Sequence, residues 1–191
     1  AQNILQGENP YAAQPRLDYF KYSPLAGLLM APFLAAPKQA GIFVFVLAQF
    51  WLFIWAFRRW ASTVHLDGLR TSSVALAAFA STVIDATVSL ENCQVNVGIF
   101  ALMLLAAAQY AEGKYVRAGL VLSLATNLKL FPFVLGLCFL TEFRKKYWIS
   151  FGGGLLLWLV LPALIVGLGP TLDLHGDWLE LMTWDQTRLY S

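Results

Sequence analysis

A lysine inside an apolar run is the position in this chain whose chemistry most needs explaining. Lys129 lies in Thr126-Asn127-Leu128-Lys129-Leu130-Phe131-Pro132, within the apolar stretch Ala118–Leu140. Inserting an ammonium there costs roughly 2.5–3.5 kcal/mol, so such a residue ordinarily faces a cavity, a partner or an ion path. One reading is a contact to a phosphate or pyrophosphate, aided by backbone N–H groups freed at a helix break. The other is a lysine that snorkels to the interface or pairs with Asp85.

Other polar residues offer weaker chemistry. Gln94 and Asn96 follow a turn, and each carboxamide carries donor and acceptor together, which suits a hydroxyl-rich ligand. Asn at that place equally suits capping of the next helix. Asp85 and Glu91 are six apart and do not share a helical face, so paired acid–base work has no support from spacing. In the tail, His175, Asp177, Trp178, Trp184, Asp185 and Arg188 mix aromatics with acids in the way a sugar ring is often held. The competing reading is an interfacial anchor. His65 and Asp67 read as solvated loop residues. Cys93 and Cys138 show no metal-ligand spacing, so no metal or cofactor is implied. Gly152-Gly153-Gly154 is not followed by Gly-Lys-Ser/Thr and reads as a small-residue helix contact.

The elements that must position these residues follow from composition. Of 191 residues, 59% are apolar and 13% charged, with a net charge of +2. Soluble domains are about 25% charged. Mean hydropathy is +0.63. A soluble domain, a disordered chain and a nucleic-acid binder are excluded, which leaves an all-α, polytopic membrane protein. A spanning helix needs about 20 apolar residues. Gln39–Phe57, Thr71–Leu90, Val95–Tyr110 and Trp148–Leu168 meet or approach that length. Pro24–Pro37 is short and contains Pro32, so it reads as a juxtamembrane helix pair at the interface. The chain reads as a single membrane domain over 1–191. Residues 1–38 form an outer loop with juxtamembrane helices, 39–168 the transmembrane helices and 169–191 an outer loop. With neither an initiating Met nor a signal peptide, it is expected to be a piece of a longer protein.

Basic residues orient the spans. Arg58, Arg59 and Arg70 form one group, Lys114 and Arg117 a second, and Arg144, Lys145 and Lys146 a third. These can share the cytoplasmic face only if even numbers of crossings separate them. Ala118–Leu140 therefore cannot be one simple span and must be two short helices meeting at the Lys129 break. Non-helical backbone at that depth requires cover by protein or water. Trp60, Tyr110, Tyr115, Tyr147 and Trp148 flank the basic loops, as interfacial aromatics do. The polar clusters then fall on the opposite face.

These patterns resemble a family. Leu5-Gln6-Gly7-Glu8-Asn9-Pro10-Tyr11, Phe20-Lys21-Tyr22-Ser23-Pro24-Leu25-Ala26 and Ala31-Pro32-Phe33 are similar to the opening motifs of glycosyltransferase family 87. Leu90-Glu91-Asn92-Cys93-Gln94-Val95-Asn96 resembles its Leu-x-x-Gly-Gln-x-Asn, with Cys93 in place of the glycine. Ala118-Gly119-Leu120, then Ala125, Lys129, Pro132 and Arg144, follow its later pattern in order and spacing.

The resemblance implies a GT-C type membrane fold and an inverting sugar transfer at the periplasmic or extracellular face of a bacterial plasma membrane. The implied donor is a polyprenyl-phosphate sugar, with mannose the sugar the family suggests, and the acceptor a hydroxyl on a lipid or glycan. On that scheme Lys129 contacts the donor phosphate, while Tyr11, Tyr22, Gln94 and Asn96 bind substrate. The expected catalytic aspartate falls upstream of Ala1; Asp18 does not match its place. Two alternatives stand beside this reading: a non-catalytic membrane subunit of a larger assembly, and a lipid carrier that binds the phosphate without transfer.

Overall fold

The computed structural model describes residues 2–5, 9–11, 22–63 and 94–188, and all regular structure among them is helical. The elements are α1 (Gln2–Leu5), α2 (Pro24–Met30), a 3-10 turn (Ala31–Ala35), α3 (Lys38–Thr63), α4 (Asn96–Ala111), α5 (Tyr115–Leu128), α6 (Phe133–Cys138), a second 3-10 turn (Phe139–Glu142), α7 (Lys145–Val160), α8 (Ala163–Val166) and α9 (Leu168–Arg188). Among the described residues, two stretches are long and apolar enough to cross a membrane, Lys38–Thr63 and Lys145–Val166. Their outer surfaces stay apolar: Phe43 is 67% and Leu164 79% exposed, the pattern of a surface solvated by hydrocarbon. Asn96–Ala111 is apolar but shorter. Thr71–Leu90 lies outside the described residues.

The arginines do not end α3, which runs past Arg58 and Arg59 to Thr63. Pro32 does break the first apolar segment, turning α2 into a 3-10 helix. That segment is less peripheral than an interfacial helix pair would be, because Pro24 to Leu28 are buried. A larger correction concerns the tail. Residues 169–191 were expected as a loop, yet Leu168–Arg188 is one 21-residue helix. Its entry is set by Gly167, whose φ of 89° lets the chain turn out of α8.

The helices pack in the order α3, α4, α5, α7. Phe53, Ala56 and Phe57 of α3 meet Val97, Ala101 and Leu105 of α4. Ile99 and Ala106 of α4 meet Leu122 and Ala125 of α5, and these meet Tyr147 and Phe151 of α7. Small side chains at these contacts let the backbones approach, as helices in lipid require. The backbones of α5 and α7 approach closely. A Cβ on Gly119 would stand 2.7 Å from the Tyr147 carbonyl oxygen and 2.8 Å from the Phe151 nitrogen. Of the Gly152-Gly153-Gly154 run, only Gly154 makes such a contact, against Ser123, and nothing described lies within 4 Å of a Cβ at the other two. Trp158 Nε1 donates to Ser123 Oγ at 3.0 Å across the same seam.

Of the basic groups expected on one face, Arg70 lies outside the described residues, and members of all three gather at one end. Arg59 forks onto Glu112, Nε donating to Oε1 at 3.1 Å and Nη2 to Oε2 at 2.7 Å. Lys114 Nζ donates to Glu112 Oε2 at 2.6 Å. The third group joins through Tyr110 Oη, which donates to the Glu142 carbonyl at 2.7 Å. The turn between α4 and α5 is a Schellman motif. Gly113 takes φ 74°, while Lys114 N bonds to Gln109 O at 2.8 Å and Gly113 N to Tyr110 O at 3.0 Å.

Hydrogen bonds from Arg59, then Lys114, pull the Glu112 carboxyl from 4.5 down to about 2. A depressed folded-state value means its stabilisation is complete above about pH 4.5 and lost as pH falls toward 2. Glu112→Gln should cost under about 1 kcal/mol at pH 7, as exposed pairs do. Melting curves in detergent should show that difference closing between pH 4.5 and pH 2; a gap that stays constant across the interval would remove Glu112 from the acid response.

Candidate functional site

The break after α5 is dictated by Pro132. Proline supplies no N–H and pushes the preceding residue out of the helical region. The helix stops at Leu128, and Lys129 is extended, with φ −156° and ψ 139°. Phe133 N then bonds to Leu130 O at 3.0 Å to start the next turn. The 14 residues of α5 span about 21 Å, so Lys129 stands at the far end from Lys114.

Asn96, Tyr22 and Phe131 stand around the lysine. Its Nζ donates to Asn96 Oδ1 at 3.2 Å and lies 5.5 Å from the Tyr22 ring centre and 5.9 Å from that of Phe131. Tyr22 Oη donates to the same Asn96 oxygen at 3.5 Å. Asn96 Nδ2 donates to Gln94 Oε1 at 2.7 Å. With cation and phenol on its oxygen, the Asn96 amide orientation follows from the network. Tyr11 joins from above, its Oη donating to the Tyr22 carbonyl at 3.1 Å. Tyr11, Tyr22, Gln94, Asn96 and Lys129, far apart in the chain, thus form one connected polar cluster.

Three sequence expectations need adjusting. Asn96 does not cap α4; it is the first helical residue after Val95. The capping role passes to Gln49 of α3, whose Oε1 accepts from Gly98 N at 3.0 Å. The Lys129 N–H is not freed by the break either, since it bonds to Ala125 O at 3.2 Å. The side-chain ammonium is therefore what the break presents. Gln94 and Asn96 point their carboxamides at each other across the start of α4.

Residues with no evident chemistry of their own in the sequence hold this cluster in place. Ser23 and Asn127 are buried and bonded, Ser23 Oγ to Asn127 Oδ1 at 3.3 Å. Ser23 N reaches Leu128 O at 3.4 Å, tying the segment before α2 to the broken end of α5. Asn9 Nδ2 donates to Asp177 Oδ2 at 2.8 Å, and Asn9 Oδ1 accepts from Tyr11 N at 2.7 Å. One tail acid thereby reaches the cluster. Burial, then the Asp177 charge, pushes the Tyr11 phenol well above its ordinary value, so it serves as a hydrogen-bond donor and not as a base. Asn9, Ser23 and Asn127 all lie in segments whose motifs were legible; only their partners were not. His175 Nδ1 is 2.8 Å from the Thr171 carbonyl on its own helix. Trp178 packs among Ile4, Tyr11 and Leu28, which makes it core. Asp85, Glu91, Cys93, His65, Asp67 and Asp18 lie outside the described residues, as do the side chains of Trp184, Asp185 and Arg188.

An ammonium held by one carboxamide and faced by aromatic rings is suited to an anion whose other end is apolar or hydroxylated. Residues 20–191 match the profile of glycosyltransferase family 87. The chain belongs to glycosyltransferase family 87. The matched range contains Tyr22, Gln94, Asn96 and Lys129; Tyr11 precedes it and is tied in through its bond to Tyr22. Membership of family 87 implies glycosyl transfer by a membrane protein, with a sugar donor and an acceptor as substrates. No curated protein sequence and no solved structure matches the chain. Among the described residues, no three or more His, Cys, Asp and Glu side chains group as metal ligands would.

Proposed function

We propose that the protein transfers mannose from a polyprenyl-phosphate donor to an acceptor hydroxyl at the outer face of the membrane. The observation that carries the proposal is Lys129, an ammonium at the broken end of α5 with Asn96 Oδ1 at 3.2 Å and two aromatic rings beside it. In an inverting transfer the bond from the anomeric carbon to the lipid-phosphate oxygen breaks as the acceptor oxygen attacks. Negative charge grows on the departing phosphate, and a fixed cation there lowers the barrier. The carboxamides of Gln94 and Asn96 pair with sugar hydroxyls, and Tyr22 offers its ring. Tyr11 donates to the Tyr22 carbonyl and thereby positions that ring. The basic end faces the cytoplasm, since positive loops stay inside, which puts the cluster on the outer half of the membrane.

The test is a transfer assay in proteoliposomes with radiolabelled sugar on two donors. Product should form from the polyprenyl-phosphate mannose and not from a nucleotide-linked mannose. Transfer from the nucleotide sugar alone would overturn the donor assignment, and transfer of glucose in preference to mannose would overturn the sugar.

A further inference from the structure

A second polar site lies at the opposite end of α5. There the N-terminal ends of α5 and α7 border an open cavity of about 680 Å³ whose lining includes Lys114, Arg117, Arg144, Lys145 and Lys146. Glu112 pairs with Lys114 and Glu142 with Arg144. Among the described residues no carboxylate pairs with Arg117, Lys145 or Lys146. Both helices start with no acidic residue in the first turn and no side-chain cap. Cations in that position oppose the helix dipole, whose positive end already lies there. The arrangement is therefore electrostatically unfavourable until an anion enters.

Topology alone asks only for positive loops near the cytoplasmic surface. It does not ask for two uncapped helix starts to share one cavity with unpaired cations. The cavity also has an apolar rim: Phe143 is 70% exposed and stacks on Trp148 with ring centres 6.3 Å apart. Since Lys145–Val166 is a candidate span, its first residues lie at headgroup depth, where aromatic rings and basic side chains meet lipid phosphates.

We propose that the cavity between the starts of α5 and α7 binds the phosphate headgroup of an anionic membrane lipid, with Arg117, Lys145 and Lys146 as its contacts. Phe143 and Trp148 then lie against the upper acyl chain. The lipid phosphate supplies the anion that the two helix starts lack, and so fastens α5 to α7 at this end.

The protein, purified in an uncharged detergent, is to be titrated with phosphatidylglycerol, with phosphatidylcholine and with inorganic phosphate, reading bound lipid by native mass spectrometry and the melting temperature in parallel. Phosphatidylglycerol should bind and raise the melting temperature, and phosphatidylcholine should not. The triple variant Arg117→Gln, Lys145→Gln, Lys146→Gln should bind phosphatidylglycerol at least about tenfold more weakly. Arg58→Gln, a charge removed at the same end but outside the cavity, should leave binding unchanged. Equal binding of both lipids, unchanged binding by the triple variant, or an equal loss in Arg58→Gln would overturn the proposal. Equal stabilisation by inorganic phosphate would overturn the lipid assignment in favour of a free ion. Should the triple variant not fold, Lys146→Gln alone is to be read on the same scale, and unchanged affinity there counts against the site.

Discussion

Lys129→Ala should reduce glycosyl transfer by about 10²–10³-fold, the loss that follows removal of one preorganised group aimed at charge developing in a transition state. Because the charge on the departing phosphate appears only as the bond breaks, the fall should lie mainly in kcat, with KM less affected. Stability should move the other way or not at all. The ammonium is unfavourable in hydrocarbon, and its hydrogen bond to Asn96 is one of two that reach that oxygen. A variant that melts at or above the parent temperature yet turns over hundreds of times more slowly would separate chemistry from folding. Lys129→Arg should recover part of the rate, since the charge is kept while the guanidinium is larger and planar. Unchanged turnover by the alanine variant would remove Lys129 from the mechanism.

The second large effect is structural. Gly119→Ala places a methyl 2.7 Å from the Tyr147 carbonyl oxygen and 2.8 Å from the Phe151 nitrogen. Both are backbone atoms and cannot rotate aside, so α5 and α7 must separate. Overpacking of this kind costs about 1–3 kcal/mol, and here it also opens the seam that carries the Trp158–Ser123 bond. Gly152→Ala is the matched control. It sits in α7 with nothing described within 4 Å of the new methyl, so it should be neutral or stabilising by up to about 1 kcal/mol through helix propensity. The two melting temperatures, measured side by side in detergent, should differ in sign or by several degrees. Equal values would mean that the α5–α7 approach is looser than described.

What the sequence made legible was whatever a local covalent rule decides. Pro132 disrupts the helix before it regardless of neighbours, so the break at Lys129 could be read directly. The even-crossing argument needed only counts of basic residues, and Arg59, Glu112, Lys114 and Tyr110 do meet at one end. Other features depend on how helices are rotated against one another. Three consecutive glycines look alike in sequence, yet only Gly154 faces Ser123. The capping of α4 by Gln49 joins residues 49 positions apart, and Asn9 meets Asp177 across 168. No periodicity encodes such pairs. The helix Leu168–Arg188 was missed for another reason. With Gly169, Pro170 and Gly176 in it and several charges, it lacks both the apolar length of a span and the propensity of a surface helix, and its contacts with α2 and α8 supply what its composition does not.

The shortness of α5 sets a depth. Its 14 residues reach about 21 Å, whereas the hydrocarbon layer is about 30 Å thick. With the basic end at one boundary of that layer, Lys129 stops roughly 9 Å short of the other, below the level of the opposite headgroups. A water-soluble donor would have to carry its phosphates down into that recess. The proposed donor, anchored by a long isoprenoid tail, would need only to slide in sideways from the bilayer, its phosphate reaching the lysine without the tail leaving the lipid.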